Sequence, residues 1–498
     1  MHQNHEPEKR SDGSKARVSS GLAWDHVRLC SSRIGAEERC TRAREISADT
    51  GSALAVWTSP LYGGGAMAED RSDDHCDPLM PILVAGYGRV GSTALMALLA
   101  TDERVAFDRR YPFENRYLTY VAKLSLLAGG PGGSPNLDAV QLHDFTDGRF
   151  GAMPWPTGPA KDGTPVVRPS TGEWLSGLWR TFSASVRRSR PHATHYAEKV
   201  PFWLAAIVRE VMPCRVIHLV RDPRDVFLSA RAFARVGPAL GFGMEAGTSE
   251  MDQARHTAHG LLTFAENEAA DRERGDRCRV RYEDWAAHPD AVVRQLNRFL
   301  ALDLSAGDAV DRIFDIHATS ADLGASVGRW RREPFSRGPR MLIERHLARQ
   351  LVDYGYEIAP DVRPAEAIVP SPEMRCSQDG SVTSTGAGAL VQVWGEDFWV
   401  ELPLEPTPAD AIAELWMCLH GTTGNHCSVY WPRADGAYDE THSIHVPFRP
   451  GWHWQIVRFR VGRHPRWQGV LSHLRLDLFN GTTTPGTGEV RWVRVVES

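Results

Sequence analysis

Residues 82–99 read ILVAGYGRVGSTALMALL. The run PILVAG (81–86) is continuously apolar, as expected of a parallel strand covered on both faces. A glycine turn carrying Arg89 and Val90 follows, and Gly91, Ser92 and Thr93 then open a helix over TALMALLA, with the two hydroxyls suited to its first turn. Strand, glycine turn and helix in this order form a loop that cradles an anion with backbone N–H groups and the helix dipole. A loop built for nucleoside triphosphates carries a lysine, which reaches the β/γ-phosphates, where this chain has Ser92. Without that lysine, the N–H groups, the dipole and the hydroxyls are what remain to hold an anion.

The pattern recurs downstream. RVIHLV (215–220) reads as a strand, RDPRD (221–225) as a turn and VFLSARAFARV (226–236) as an amphipathic helix. CRVRYEDWAAHPDAVVRQLNRFLAL (278–302) reads as a short strand followed by a helix. Strands alternating with helices predict a parallel α/β sheet. Arg221 falls at a strand's carboxyl end and Ser229 two turns into the next helix. A guanidinium fork matches a phosphate dianion, and ligands of open α/β sheets gather at the carboxyl ends of strands. Two phosphate sites without a lysine or an evident magnesium carboxylate point to a nucleotide phosphorylated at two separate positions. Residues 198–235 carry seven Lys/Arg against four Asp/Glu, a surplus that suits such a polyanion.

The chain's 498 residues exceed one ordinary domain. A net charge of −5 gives no reason to expect nucleic acid or an anionic membrane as the main partner. The eight cysteines are scattered without a CxxC pair, which fits buried thiols in a reducing compartment. Neither a membrane-length apolar run nor an apolar signal core is present in the sequence, so a cytoplasmic location is expected, with peripheral membrane contact left open.

Residues 1–78 are polar and aperiodic and are expected to be a disordered tail; Met67 and Met80 leave open a later start. The α/β domain is expected over 79–358. Within it the Gly/Pro/Trp-rich stretch 129–180 reads as a long loop, either an acceptor-covering lid or a surface insertion. Residues 359–384 read as a proline-rich linker. From 385 to 498 short alternating segments separated by turn residues predict an antiparallel sandwich or jelly roll, which holds eight of the sixteen tryptophans.

GYGRVGST with RDPRDVFLSARAF resembles the paired motifs of sulfotransferases that use 3′-phosphoadenosine 5′-phosphosulfate (PAPS). HYAEKVPFW (195–203) resembles the family's Glu-Lys-x-Pro segment, VRYEDW (280–285) its Tyr-Glu-Asp strand end, VGRWRREP (327–334) its glycine–basic loop and DYGYE (353–357) its closing helix end. The resemblance spans about 80–360 and is strongest to bacterial and carbohydrate-type members. It implies a P-loop-like parallel sheet flanked by helices, and sulfuryl transfer from PAPS to a hydroxyl or amine of a saccharide or glycolipid, with no metal. Arg89, Val90, Gly91, Ser92 and Thr93 would hold the 5′-phosphosulfate. Arg221, Ser229 and Arg329, beside Gly328, would bind the 3′-phosphate, with Tyr282 and Trp330 near the nucleotide. Core packing is the alternative for Trp330, and a structural hydroxyl contact for Tyr282.

Sulfuryl transfer rests on in-line placement and charge stabilisation. The resemblance makes Lys199 the group that stabilises charge on the transferred sulfonate; a surface ion pair with Glu198 is the alternative. Many cytosolic members place a histidine base soon after this lysine, whereas this chain has Val200, Pro201 and Phe202. Glycan-type members point instead to Glu114 as the base, provided burial raises its pKa; otherwise it pairs with Arg109, Arg110 or Arg116.

Other constellations are weaker. His192/His195 and His442/His445 have no third ligand at metal spacing, and SDDHCD (72–77) sits in the tail. WQGVLSHLRLDLFN (467–480) with GEVRWVRVV (488–496) resembles a carbohydrate-binding-like β-sandwich of bacterial glycan-modifying enzymes. Its tryptophans either stack on sugars or fill the core. Two other functions stay open: a P-loop small-molecule kinase, and a non-catalytic nucleotide-regulated glycan-binding protein.

Overall fold

The computed structural model describes residues 77–110, 113–114, 116–122, 171–202, 204–236, 247–306, 322–448, 450–481 and 485–498. The tail up to Cys76, with most of SDDHCD, and the lid reading over 129–170 lie outside the described residues.

Strands β1 (Met80–Ala85), β2 (Val105–Ala106), β3 (His195–Val200), β4 (Arg215–Val220) and β5 (Arg277–Arg281) form one sheet in the order β2-β3-β1-β4-β5. Every pairing in it is parallel. After their first residue β1, β3 and β4 are buried throughout, which explains the unbroken apolar run of β1; β3 buries Glu198 and Lys199 and β4 buries His218 among their apolar residues. The chain runs from β1 to one side and returns beside it as β3, then places β4 on the other side. The crevice at the carboxyl end of β1 is therefore a topological switch point.

Helices α1 (Ser92–Leu99), α2 (Thr171–Ser189), α3 (Leu204–Val211), α4 (Pro223–Val236), α5 (Glu250–Ala270), α6 (Tyr282–Ala287) and α7 (Pro289–Leu300) accompany this sheet. After them come α8 (Arg329–Arg332), α9 (Arg337–His346) and α10 (Ala348–Asp353). Helix α2 corrects the loop reading at 171–180. Leu175, Leu178, Trp179, Phe182 and Val186 recur at helical spacing and pack into the core, while the prolines that suggested a loop lie upstream. The Trp179 indole donates to Leu79 O at 2.9 Å and Ser183 Oγ accepts from Leu79 N at 3.1 Å, fixing α2 to the start of β1.

The C-terminal part is all-β. A four-stranded sheet has the order β11 (Ser443–Pro447), β10 (His426–Tyr430), β13 (Val470–Asn480), β8 (Trp399–Pro408). A five-stranded sheet has the order β12 (Gly451–Phe459), β9 (Ile412–Gly421), β14 (Gly486–Glu497), β7 (Gly388–Val393), β6 (Gly380–Thr385). All pairs are antiparallel. Their inner faces share one core that includes Val391, Val400, Leu402, Met417, Leu419, Val429, Leu476 and Val490. Sheet structure begins at Gly380, inside the stretch read as linker, because GSVTST pairs with GALVQV as a hairpin. Upstream of it, Ile368 and Cys376 already bridge to Val493 and Val400.

Strand β9 has an apolar run, LWMCL, that alternation does not explain. Leu415, Met417 and Leu419 face the sandwich interior, whereas Trp416 and Cys418 belong to the core of the α/β layer, together with Trp454, Ile456, Trp492 and Val496. The strand is buried on both faces because the outer face of the five-stranded sheet packs on α5. Polar groups pin the contact. Asn267 donates to Trp454 O at 2.9 Å and accepts from Trp454 N at 3.1 Å. His259 Nε2 donates to Ile456 O at 2.6 Å, and Glu266 receives the Trp492 indole at 3.2 Å and the Arg491 guanidinium.

Candidate functional site

The carboxyl ends of β1, β3, β4 and β5 bring together the glycine loop, Lys199, Arg221 and Tyr282, since Val84 pairs with Lys199 and Val220 with Arg281 in register. At the end of β1 the chain turns sharply. Arg89 has φ 69° and Gly91 φ 98°, so two residues within three occupy the left-handed region. Only glycine fits at 91, because an added Cβ would stand 2.5 Å from the Tyr282 ring. Gly91 caps α1 and, as a glycine, brings no side-chain cap to the helix's first N–H groups. Val90 is buried beneath the turn, and Ser92 and Thr93 are half-buried at the helix start.

Lys199 reaches the start of α1 from the neighbouring strand. Its Nζ donates to Thr93 Oγ1 at 2.8 Å and lies 3.5 Å from Glu114 Oε1. Burial pushes the ammonium down to about 8, against the pull of Glu114 in the other direction. The pairing with Glu198 is not formed. Side chains alternate along β3, so Glu198 points to the opposite face, where it accepts from Leu118 N at 2.7 Å and from Thr119 N and Oγ1. Burial raises that carboxyl to about 7. Glu114 is 46% exposed and also faces Arg116 at 3.5 Å, so the base candidate contacts Lys199 and one of the arginines named as its alternative partners.

A second cluster forms at the end of β4. Arg221, 5% exposed, donates to Arg89 O at 3.0 Å and to Ser326 O at 2.6 Å, and its guanidinium carbon lies 4.4 Å from the Tyr282 ring centroid. Its Nε is buried with no hydrogen-bond partner among the described residues. Ser229 accepts from Arg89 Nε at 3.3 Å, which joins the two motifs directly. Tyr282 OH shares a 2.6 Å bond with Ser326 Oγ, the structural hydroxyl contact weighed as its alternative role.

The 326–333 segment closes over this cluster. Gly328 caps α8 with φ 65°. The Arg329 side chain is held by Glu333 at 2.5 and 3.1 Å, while its Nη1 is buried without a partner among the described residues. The Trp330 ring lies 3.8 Å from the Arg224 guanidinium carbon, so it packs on a charge rather than standing open. Three acidic residues organise the region and were not singled out from sequence. Asp225 accepts from Gly328 N and Trp330 N at 2.6 and 2.9 Å. Glu283 accepts from Asp222 N at 3.0 Å and from Tyr356 OH at 2.7 Å. Glu344 receives Arg224 at 2.9 Å. The available signal was position: Asp225 lies inside RDPRD and Glu283 inside YED.

Residues 165–306 match the family model described as the Sulfotransferase family. No curated protein sequence matches the chain. Among solved structures, the sulfotransferase domain from the Synechococcus PCC 7002 olefin synthase is similar, at 16% identity over 57% of this chain and 98% of that one, with a TM-score of 0.31. A retinol dehydratase in complex with androsterone and the inactive cofactor PAP has 16% identity over 57% and 84% of the chains, with a TM-score of 0.30. For the C-terminal part, the xylan-binding module CBM86 from Roseburia intestinalis has 7% identity over 27% of this chain and 95% of that one, with a TM-score of 0.21.

Proposed function

We propose that the protein is a PAPS-dependent sulfotransferase acting on a saccharide or glycolipid hydroxyl. One observation carries the reading: the Arg221 guanidinium, which donates to Arg89 O in the glycine loop, keeps a buried Nε with no hydrogen-bond partner among the described residues, at the loop that Lys199 also reaches. A buried cationic donor without an acceptor is costly, and an anion at this edge relieves it. The family match over 165–306 supports the same reading. The absence of a loop lysine at Ser92 separates it from triphosphate chemistry.

In this reading the glycine loop with Ser92 and Thr93 holds the 5′-phosphosulfate, and Arg221, Ser229 and Arg329 hold the 3′-phosphate. The acceptor oxygen bonds to sulfur while the sulfur–oxygen bond to the 5′-phosphate breaks. Glu114 receives the acceptor proton, and Lys199 faces the charge that builds on the leaving phosphate oxygen. Incubation with 35S-labelled PAPS and fractionated glycans and lipids from the producing cell tests this. Labelled product is expected; magnesium-dependent ATP turnover without it would favour a kinase.

The sandwich supports a saccharide acceptor through its 394–399 connection. Trp394 is 54% exposed, its indole nitrogen held by Gln378 O at 2.8 Å. Asp397 grips Arg475 at 2.7 Å, and Arg475 lies 5.2 Å from the Trp399 ring centroid. An exposed indole beside carboxylates suits a sugar ring. Affinity electrophoresis in soluble polysaccharides, comparing the protein with Trp394→Ala, tests this role separately from transfer.

A further inference from the structure

The residues assigned to the 3′-phosphate come from distant parts of the chain, and Arg329 lies on a four-residue helix whose own hydrogen bonds cannot fix it. Its backbone is fixed from outside. One carboxylate, Asp225, accepts the N–H of Gly328 at 2.6 Å and the N–H of Trp330 at 2.9 Å, so it brackets Arg329 on both sides. Asp225 is fully buried in the first turn of α4, four residues after Arg221. Its neighbour Arg224 lies under the Trp330 ring and is locked by Asp222 at 2.9 and 2.8 Å and by Glu344 at 2.9 Å. Ser326, on the other side of the segment, accepts from Arg221 and bonds Tyr282.

We infer that Asp225 is a positioning residue that sets Arg329 against Arg221, so that the two unpartnered guanidinium nitrogens converge on one phosphate. The inference rests on the nucleotide reading proposed above. Asp225 itself touches no ligand in this account. Its carboxylate offers two acceptor oxygens to two donors. An asparagine offers one, and turns an NH2 toward the second N–H. Loss of one hook frees the segment at Gly328 or Trp330 and lets the Arg329 side chain leave its aim. The effect should fall first on the 3′-phosphate, because Asp225 holds only the Gly328 and Trp330 N–H groups, and Lys199 is fixed on Thr93.

The test measures Kd by isothermal titration for adenosine 3′,5′-bisphosphate and adenosine 5′-monophosphate, and reads their ratio in the full chain. The wild type should prefer the bisphosphate. Asp225→Asn should lower that preference about tenfold, by weakening the bisphosphate and not the monophosphate, which corresponds to about 1.4 kcal/mol. Arg329→Ala should lower it likewise, and adding Asp225→Asn to Arg329→Ala should change the ratio little further. The ratio from one preparation does not depend on its inactive fraction, and Asp225→Glu, which keeps the charge and moves it by a methylene, serves where the asparagine variant does not fold. A preserved ratio in folded Asp225 variants, with both ligands weakened alike, overturns the positioning role. A wild type that shows no preference overturns the nucleotide reading itself, and this inference with it.

Discussion

Lys199 donates to Thr93 at 2.8 Å across the ends of two adjacent parallel strands. A buried ammonium thus stands where the loop needs charge, and burial sets its pKa at about 8 against an ordinary 10.5. If transfer needs the charged form, kcat should hold below pH 8 and fall about tenfold per pH unit above it. Lys199→Arg should remove that alkaline limb, and Lys199→Ala should lower kcat at every pH. A pH–rate profile checks all three. The stability sign is opposite to the catalytic one. Between pH 8 and 10.5 the unfolded chain binds the extra proton, so the contribution of Lys199 to stability should climb across that window and be constant outside it. Lys199→Met should therefore raise stability at pH 7, by about 1–3 kcal/mol at most, in denaturant titrations.

Glu114 stands 3.5 Å from the same ammonium and is half-exposed, open to an acceptor. As a general base it should contribute about 10²–10⁴ in rate. Glu114→Gln should lower kcat by that order while leaving the Kd for adenosine 3′,5′-bisphosphate within a factor of two. Near-full activity in the glutamine variant would reduce Glu114 to a partner of Lys199 and Arg116.

Gly91 is tested by one methyl group. Its φ of 98° and the Tyr282 ring 2.5 Å from a built Cβ both oppose alanine. Gly91→Ala should cost about 1–3 kcal/mol in stability from backbone strain alone. Tyr282 must also move, and with it Ser326 and Arg221, so nucleotide affinity should fall more than stability does. Tyr282→Phe keeps the ring and loses only the 2.6 Å bond to Ser326, and should be the milder change by both measures.

Strands β1 and β4 were legible because buried parallel strands are largely apolar, and the site loops because glycine, arginine and hydroxyl residues cluster where strands end; β3, with Glu198 and Lys199, was readable only as a motif. Glu198 illustrates what sequence leaves out. Adjacent to Lys199 in sequence, it faces the other side of the sheet, which strand alternation implied but the Glu-Lys pairing concealed. The 326–333 segment was visible as a basic glycine loop, yet its anchor was not, since Asp225 is about a hundred residues away and resembles any charged helix start. Helix α2 was hidden by the glycines and prolines preceding it. The doubly apolar run LWMCL in β9 reports a partner surface, and alternation within the sandwich alone gives no reason for it.

That partner surface carries the last expectation. His259, against Ile456 O and the Trp416 ring, is held by burial near 4, and His346, also beside Trp416, near 3. Both are neutral in the folded protein. Below the ordinary 6.5 the unfolded chain binds protons that the folded one does not, so the two histidines should remove stability as pH falls from 6.5 toward 4. Glu198, raised to about 7, acts in the opposite sense over part of that range. Comparison with His259→Gln isolates the histidine, because Glu198 is common to both proteins and the glutamine amide can still donate to Ile456 O. The variant should lose less stability than the wild type between pH 6.5 and 4.5 in urea titrations. Since Trp416, Trp454 and Trp492 share one core with the parallel sheet, tryptophan fluorescence and far-UV circular dichroism should report one coincident transition. Separate transitions would mean that the sandwich can undock while both layers stay folded, and the pH slope would then belong to undocking alone.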